Sequence, residues 1–343
     1  MKHIGIVTSG GDAPGTNAAL RAASRAAFAR SVKVSGLLHG WEGAVKNDFL
    51  EITRDVVHGI VERGGTILHS RRTKLLTAKG DVEKVIAGLR RHKIEGLVAI
   101  GGDGSHRGAL VLAEAGFPVV GVPKTIDNDL LGTDFTIGFQ TAVQTACDCI
   151  DRLRAHTESH DRVMIVELMG RHAGWIAAFA GLASGADLIL VPERMWGIDE
   201  VCDHLKQRHD VEKRNFSLIV VAEGAIESQK MLRRAKDTRH DHLGRPHLGG
   251  LGDVLARALE ERTGYECRST QPGYLLRGGS PVAVDRLLAT RLGLRAADCL
   301  LDGMSGISVG EVGSKPVENA IADVAKGNKP LPDLEYERAA RFF

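Results

Sequence analysis

Cysteine, aromatic residues, net charge and long apolar runs are all scarce in this 343-residue chain. Its five cysteines, Cys147, Cys149, Cys202, Cys267 and Cys299, are odd in number and scattered, which argues against a disulfide framework and predicts reduced, mostly buried thiols. Cys147 and Cys149 stand two apart in a helical pattern and so face different sides. No apolar stretch approaches the roughly 18 residues of a membrane span, and the N-terminal MKHIGIVTSGG has too short an apolar run for a secretory signal, so a cytoplasmic protein without membrane association is expected. A net charge of +2, with no basic stripe interleaved with aromatics, argues against a nucleic-acid partner. Repeats and low-complexity tracts are absent, as are a Ser–His–Asp spacing and a His/Cys metal cage.

What is abundant is glycine: 41 residues, well above the average usage of about 7%. Much of it stands where apolar runs end. Ile4–Thr8 reads as a strand that breaks into Ser9-Gly10-Gly11-Asp12-Ala13-Pro14-Gly15 before a helical pattern over Thr16–Arg30. Strand, glycine turn, helix is the arrangement in which backbone N–H groups and a helix N-terminus face an anion. The string is neither GxxxxGK[ST] nor GxGxxG, so the two best-known phosphate fingerprints do not apply. A second strand, Val32–Leu38, is followed by the glycine turn Gly64-Gly65-Thr66 and the pair Arg71-Arg72 ahead of Thr73. Paired arginines fit a solvated edge as well as a guanidinium clamp on phosphate oxygens.

Asp81–His92 has an amphipathic helical pattern, and Gly96–Ile100 is an apolar strand running into Gly101-Gly102-Asp103-Gly104-Ser105, with a helix over Ser105–Ala115. The glycines there let backbone approach a polyphosphate, and a lone carboxylate among them suits Mg²⁺, which is commonly held by one or two carboxylates plus substrate phosphates. The strand Pro118–Val122 then leads into Pro123-Lys124-Thr125-Ile126-Asp127-Asn128-Asp129. That stretch offers a cation, a hydroxyl, an amide and two carboxylates where open α/β sheets bind ligands; an Asx-rich turn is the plainer reading of it.

Further along, Gln140–His156 is helical, Arg162–Leu168 is a strand ending in Met169-Gly170-Arg171-His172-Ala173-Gly174, and Trp175–Ser184 is helical. Asp187–Val191 and Leu218–Ala222 are strands, the latter ending in Glu223-Gly224. Ser228–Gly249 is polar and unpatterned, and its His240, His242 and His247 lack the spacing of a metal site, so a solvated loop is expected. Leu251–Glu261 and Val282–Leu301 are helical, with Arg268, Tyr274, Arg277 and four glycines between them. Alternating strands and helices argue for an α/β protein with parallel sheets, and roughly ten strands suggest two layered halves.

Aspartates, arginines, a lysine, glycines and a hydroxyl suit phosphoryl transfer, where the protein positions groups in line and neutralises charge. An acidic residue must take the proton of the attacking hydroxyl. Arginines beyond those one donor needs imply an acceptor that is itself phosphorylated.

Across nearly the whole chain the motifs TSGGDAPGTNAALR, RGGT, SRRT, IGGDGS, PKTIDND, IGFQTA, IDRL, MGRHAG, AEGA and RGGSPVAVDR, in that order, resemble the 6-phosphofructokinases. The resemblance implies two similar Rossmann-like lobes with the active site in the cleft between them. One lobe would comprise residues 1–138 and about 277–326, and the other residues 139–276 and about 327–343. It further implies Asp127 as the base toward the 1-hydroxyl of fructose 6-phosphate, Thr125 beside the transferring group, Arg171 against its charge and the Gly11 N–H on the phosphates. Arg72, Thr73, Gly102, Asp103, Gly104, Ser105 and Lys124 would complete the donor site, with Asp103 and Asp129 serving Mg²⁺. Ile126, Met169, Gly170, Glu223, Tyr274, Leu275, Leu276 and Arg277 would line the sugar site, with Arg162 and Arg268 gripping the 6-phosphate from a neighbouring subunit. A homo-oligomer, tetramer or dimer, follows from that sharing.

Two residues pull the donor choice apart. Gly104 matches family members that use ATP, where pyrophosphate users carry Asp, whereas Lys124 matches pyrophosphate users. ATP is expected, on the argument that an open Gly104 admits the nucleotide while a lysine can swing aside; the alternative is a reversible pyrophosphate-dependent enzyme. Arg21, Arg25, Arg54, Arg154 and Lys213 match effector-binding positions of regulated bacterial members, with Asp187 where a Glu is expected; solvated helix faces account for them equally.

Overall fold

A computed structural model describes residues 1–71, 73, 75, 76, 79–225, 249–341 and 343. Arg72 and the histidines of the polar stretch, His240, His242 and His247, lie outside the described residues. Contacts divide the chain into two compact units, Met1–Ile126 with Leu130–Thr141 and Arg277–Asn328, and Asp127–Asp129 with Ala142–Leu276 and Lys329–Phe343.

In the first unit the strands β1 (His3–Ser9), β2 (Lys33–Leu37), β3 (Phe49–Ile52), β4 (Gly96–Gly101) and β5 (Val119–Pro123) join the later β10 (Ile307–Val312) and β11 (Lys315–Ala320) in one sheet, ordered β11-β10-β5-β4-β1-β2-β3. Pairing is parallel from β10 through β2 and antiparallel at the two edges, β2–β3 and β10–β11. These edge strands carry no alternating apolar pattern; β11 reads KPVENA, with charges and a proline that keep its open side from pairing.

The central strands β4 and β5 are buried along their whole length, as expected of parallel strands covered on both faces. Their alternation sorts side chains between two cores. Ile4, Ile6, Val98, Ile100, Val120 and Val122 pack with α1 (Thr16–Ala29) and α9 (Ala283–Leu301), whereas Val7, Leu97, Ala99 and Val119 pack with α3 (Lys79–Arg91) and α4 (Asp103–Glu114). On α9, a Cβ at Gly293 would stand 2.4 Å from the Ala19 carbonyl oxygen, so glycine lets α9 lie against the alanine-rich α1. α1 and α4 therefore cover opposite faces, which makes the β1/β4 boundary the topological switch point where doubly wound sheets bind ligands.

The second unit holds a fully parallel sheet ordered β7-β8-β6-β9, from β6 (Val163–Leu168), β7 (Leu188–Leu190), β8 (Ser217–Ala222) and β9 (Cys267–Thr270). Around it in sequence run α5 (Phe139–Ser159), α6 (Trp175–Ala183), α7 (Ile198–Lys206), α8 (Leu251–Thr263) and α11 (Asp333–Ala340); the short α2 (Glu42–Lys46) and α10 (Ile321–Val324) belong to the first unit. All five thiols are free, with Cys202, Cys267 and Cys299 buried. No described helix is long and apolar enough to cross a membrane.

A buried aspartate fixes the start of α5. Asp285 on α9, fully shielded from solvent, accepts hydrogen bonds from the Gly138 N–H (3.0 Å), the Thr141 N–H (2.7 Å) and the Thr141 hydroxyl (2.6 Å). Two of these donors are among the first-turn groups that a helix cannot satisfy itself. Asp285→Ala strands all three in an apolar interior, so a loss of about 3 kcal/mol or more is expected in urea unfolding.

Candidate active site

The strand register brings three of the polar loops to one level. Ser9 is the register partner of Gly101, and Gly101 that of Pro123, so the loops after β1, β4 and β5 leave neighbouring strands side by side. Gly10, at φ +85°, takes a conformation that glycine adopts without cost, and its carbonyl accepts from the Ser70 hydroxyl at 2.6 Å. The Arg71 guanidinium pairs with Glu42 at 2.9 Å, and Thr73 caps its own turn by accepting from the Leu75 N–H.

Lys124 corrects one expectation. Its side chain is 1% exposed, and its ammonium donates to the Ser9 carbonyl at 3.2 Å and to the Gly11 carbonyl at 2.5 Å. A cation buried this way does not swing aside: it braces the first glycine loop, turning two carbonyls inward, and brings positive charge to the loop carrying the Gly11 N–H.

α4 begins two residues earlier than its apolar pattern suggests. Gly102 stands extended as the N-cap, so Asp103 and Gly104 fall in the first turn, where an acidic side chain complements the helix dipole. The Asp103 carboxylate is ion-paired with Arg107 one turn on. Gly104 has no heavy atom within 4 Å of where a Cβ would stand. Ser105 Oγ, buried in the same turn, has no hydrogen-bond partner among the described residues and lies 3.5 Å from where a Gly10 Cβ would be. An open glycine, an orphaned hydroxyl and a helix N-terminus together suit an anionic group. The donor set also fits a Mg²⁺ ion that arrives with phosphates, since Asp103 offers a carboxylate in this turn and such sites commonly need only one or two.

After Lys124, Thr125 accepts from the Thr136 hydroxyl at its carbonyl (2.7 Å), and Ile126 is fully buried, so its side chain serves the core instead of lining a site. Asp127–Asp129 belong to the second unit, where burial alternates: Asn128 is fully buried with φ +51°, while Asp127 and Asp129 are half-buried. Lys329, which sequence reasoning missed, holds this segment, donating from its backbone to the Asp129 carbonyl (2.7 Å) and from its ammonium to Asn128 Oδ1 (3.3 Å). The same ammonium lies 4.8 Å from the centre of the Trp175 ring. No local signal announces Lys329, because its partner is about 200 residues away in sequence.

Leu168 and Ala222 are register partners, so Met169-Gly170-Arg171 and Glu223-Gly224 also leave adjacent strand ends. Gly170 takes φ +145°, and a Cβ on Gly224 would stand 2.2 Å from the Arg171 carbonyl oxygen, so both glycines are required for the loops to touch. Burial raises the Glu223 pKa to about 7; the Asp127 charge adds to the rise, and Arg171 partly opposes it. A raised carboxylate favours the protonated folded state, so its ionisation removes stability as pH climbs from about 4.5 through 7. Glu223→Gln is therefore expected to melt higher than the parent at pH 8, by roughly 3 °C or more, and to match it near pH 4.5.

Glu167 is a carboxylate that the sequence reading did not single out; it accepts from the Gly250 and Gly252 N–H groups and from Gln271, joining β6 to the start of α8. Arg162 and Arg268 converge on one carboxylate, Glu266, at 2.9 and 2.6 Å. Beyond β9, Tyr274 and Leu275 are 79% and 64% exposed, whereas Leu276 is fully buried, so of these three only the first two present side chains to a ligand or partner. Arg277 belongs to the first unit and donates to the Asp12 carbonyl at 3.4 Å.

The effector candidates are partly committed elsewhere. The Arg54 guanidinium lies 5.5 Å from the Phe28 ring centre, Arg154 donates to the Ser184 and Gly185 carbonyls at the end of α6, and Asp187 pairs with Arg208 at 2.7 Å. Arg25 and Lys213 are exposed, and Arg21 is half-buried.

Comparison with known proteins places these loops in a family. The model of the family described as Phosphofructokinase matches residues 3–300. A pyrophosphate–fructose 6-phosphate 1-phosphotransferase of Amycolatopsis methanolica is 45% identical, the match covering 99% of this chain and 99% of that one. An ATP-dependent 6-phosphofructokinase of Halalkalibacterium halodurans is 43% identical with the same coverage of both. Among solved structures, the Pichia pastoris phosphofructokinase in the T-state matches with a TM-score of 0.81 and 31% identity over 99% of this chain and 36% of the other, so this chain spans about a third of that protein.

Proposed function

Because the chain belongs to the phosphofructokinase family and is therefore a phosphotransferase, we propose that it transfers the terminal phosphoryl group of ATP to the 1-hydroxyl of fructose 6-phosphate. The observation that carries the choice of ATP is the open space at Gly104. A nucleotide continues beyond its phosphates, and a side chain in the first turn of α4 would stand in its way.

In this reading the residues divide by task. The Gly11 N–H, the first-turn N–H groups of α4, Ser105, Thr73 and Arg72 take the donor phosphates, and the buried Lys124 supports them by bracing the first glycine loop. Asp103, with Asp129, serves Mg²⁺, which when bound neutralises phosphate charge during transfer. Asp127 accepts the proton of the attacking hydroxyl, Thr125, two residues earlier, stands beside the transferring group, and Arg171 offsets charge on that group. Met169, Gly170 and Glu223 hold the sugar, and Glu223, with a pKa raised to about 7, can donate to a sugar oxygen in its protonated form. Arg162 and Arg268, which both pair with Glu266 here, bind the 6-phosphate. Tyr274, Leu275 and Arg277 complete the pocket of a cytoplasmic homo-oligomer whose subunits share sites, and Arg21, Arg25, Arg54, Arg154 and Lys213 serve an effector.

The second reading, pyrophosphate as donor, is favoured by the buried Lys124, since a fixed cation beside the glycine loop suits a short, highly charged donor. The Amycolatopsis relative bears that activity in its name. Incubating the protein with fructose 6-phosphate, Mg²⁺ and ATP and following phosphorus resonances tests the main reading. Appearance of fructose 1,6-bisphosphate with matching ADP supports it; ATP left intact beside unchanged sugar phosphate refutes it.

A further inference from the structure

One buried histidine has no task in the scheme above. His106, on α4, is 1% exposed and lies against β5 in a space that glycine provides: a Cβ at Gly121 would stand 2.8 Å from His106 Nε2. Gly121 is the register partner of Ser308 on β10, and the Ser308 hydroxyl meets Nε2 at 2.9 Å. At the other side of the ring, Nδ1 meets the Gly102 carbonyl oxygen at 3.0 Å.

These contacts fix the tautomer. A carbonyl oxygen only accepts, so Nδ1 carries the proton, and Nε2 accepts from the Ser308 hydroxyl. Burial lowers the imidazole pKa, in keeping with a neutral ring. The Gly102 carbonyl thus takes three donors, the Ser105 and His106 N–H groups at 3.0 Å each and the imidazole. A trans peptide is planar, with its C=O and N–H opposed. Drawing the Gly102 oxygen into the helix therefore turns the Asp103 N–H outward, off the end of α4, where it has no intrahelical acceptor.

We propose that His106 is a positioning residue for the phosphoryl donor: through the line Ser308–His106–Gly102 it holds the Gly102–Asp103 peptide so that its N–H faces the donor's phosphates. The claim rests on the reading of the α4 N-terminus as the donor site. It assigns His106 and Ser308 no contact with either substrate.

The test is steady-state kinetics of the full-length enzyme, with ATP varied at saturating fructose 6-phosphate and the reverse. His106→Phe keeps ring bulk but neither nitrogen and is expected to raise the KM for ATP about tenfold, while the KM for fructose 6-phosphate stays within about twofold. Ser308→Ala frees the tautomer and is expected to raise it about threefold, with Ser308→Thr restoring the parental value. His106→Asn, whose amide reproduces the Nδ1 donor, is expected to recover most of the loss. If His106→Phe does not fold, Ser308→Ala against Ser308→Thr decides alone. An unchanged KM for ATP in the folded variants, or equal rises for ATP and the sugar phosphate, overturns the proposal. Gly104→Asp separates the two levels: if it too leaves ATP kinetics unchanged, the donor-site reading itself is wrong, whereas if it alters them while the His106 and Ser308 variants do not, only the positioning role fails.

Discussion

Asp127→Asn is expected to lower kcat by about 10²–10⁴-fold, while the KM for fructose 6-phosphate stays within about threefold. Asparagine keeps the shape of the side chain, and the segment's backbone remains tied to Lys329 through the Asp129 carbonyl. In the proposed reading, what the variant loses is the ability to take the proton of the attacking hydroxyl. A second consequence follows from electrostatics. The Asp127 charge is one of the causes that raise the Glu223 pKa to about 7, so the variant should let Glu223 ionise at lower pH. An NMR titration of the Glu223 carboxyl in parent and variant reads this directly; a Glu223 pKa that does not move would mean the two carboxylates do not sense each other. Near-parental turnover in the variant would show that another group is the base.

The other large effect is expected at Gly104. Gly104→Asp places a carboxylate in the open first turn of α4, where it opposes the charge of a polyphosphate and fills the space beyond it. kcat/KM with ATP should fall about 100-fold, which corresponds to about 2.7 kcal/mol of transition-state binding. Pyrophosphate, being shorter, should lose less, so the donor ratio should move toward it. Glycine is a poor helix former, and an Asp in the first turn complements the dipole, so the folded state should not suffer. A variant with unchanged ATP kinetics would remove the main argument for the nucleotide.

What could be read in advance divides along physical lines. The central strands were legible because parallel strands buried on both faces are continuous apolar runs, as in GLVAIG and VVGVP. The loops at their ends were legible because glycine and charge interrupt those runs abruptly. Edge strands such as β11 were not, since an open edge is kept polar, and KPVENA looks like loop. Helix starts were misjudged where a glycine cap, as at Gly102, precedes a polar first turn. Side-chain reach was the least legible feature. The sequence offers Lys124 as a mobile cation in a donor site, and only the fold shows its ammonium held by the carbonyls of residues more than 110 positions earlier. Asp285, Lys329 and His106 act across still larger gaps, where spacing along the chain carries no information.

The most direct measurement compares kcat/KM for ATP and for pyrophosphate on the same preparation, with fructose 6-phosphate and Mg²⁺ held saturating and fructose 1,6-bisphosphate as the readout. The open Gly104 predicts that ATP is preferred by at least about tenfold, some 1.4 kcal/mol. Turnover with pyrophosphate alone would contradict that account and give the decision to the buried Lys124.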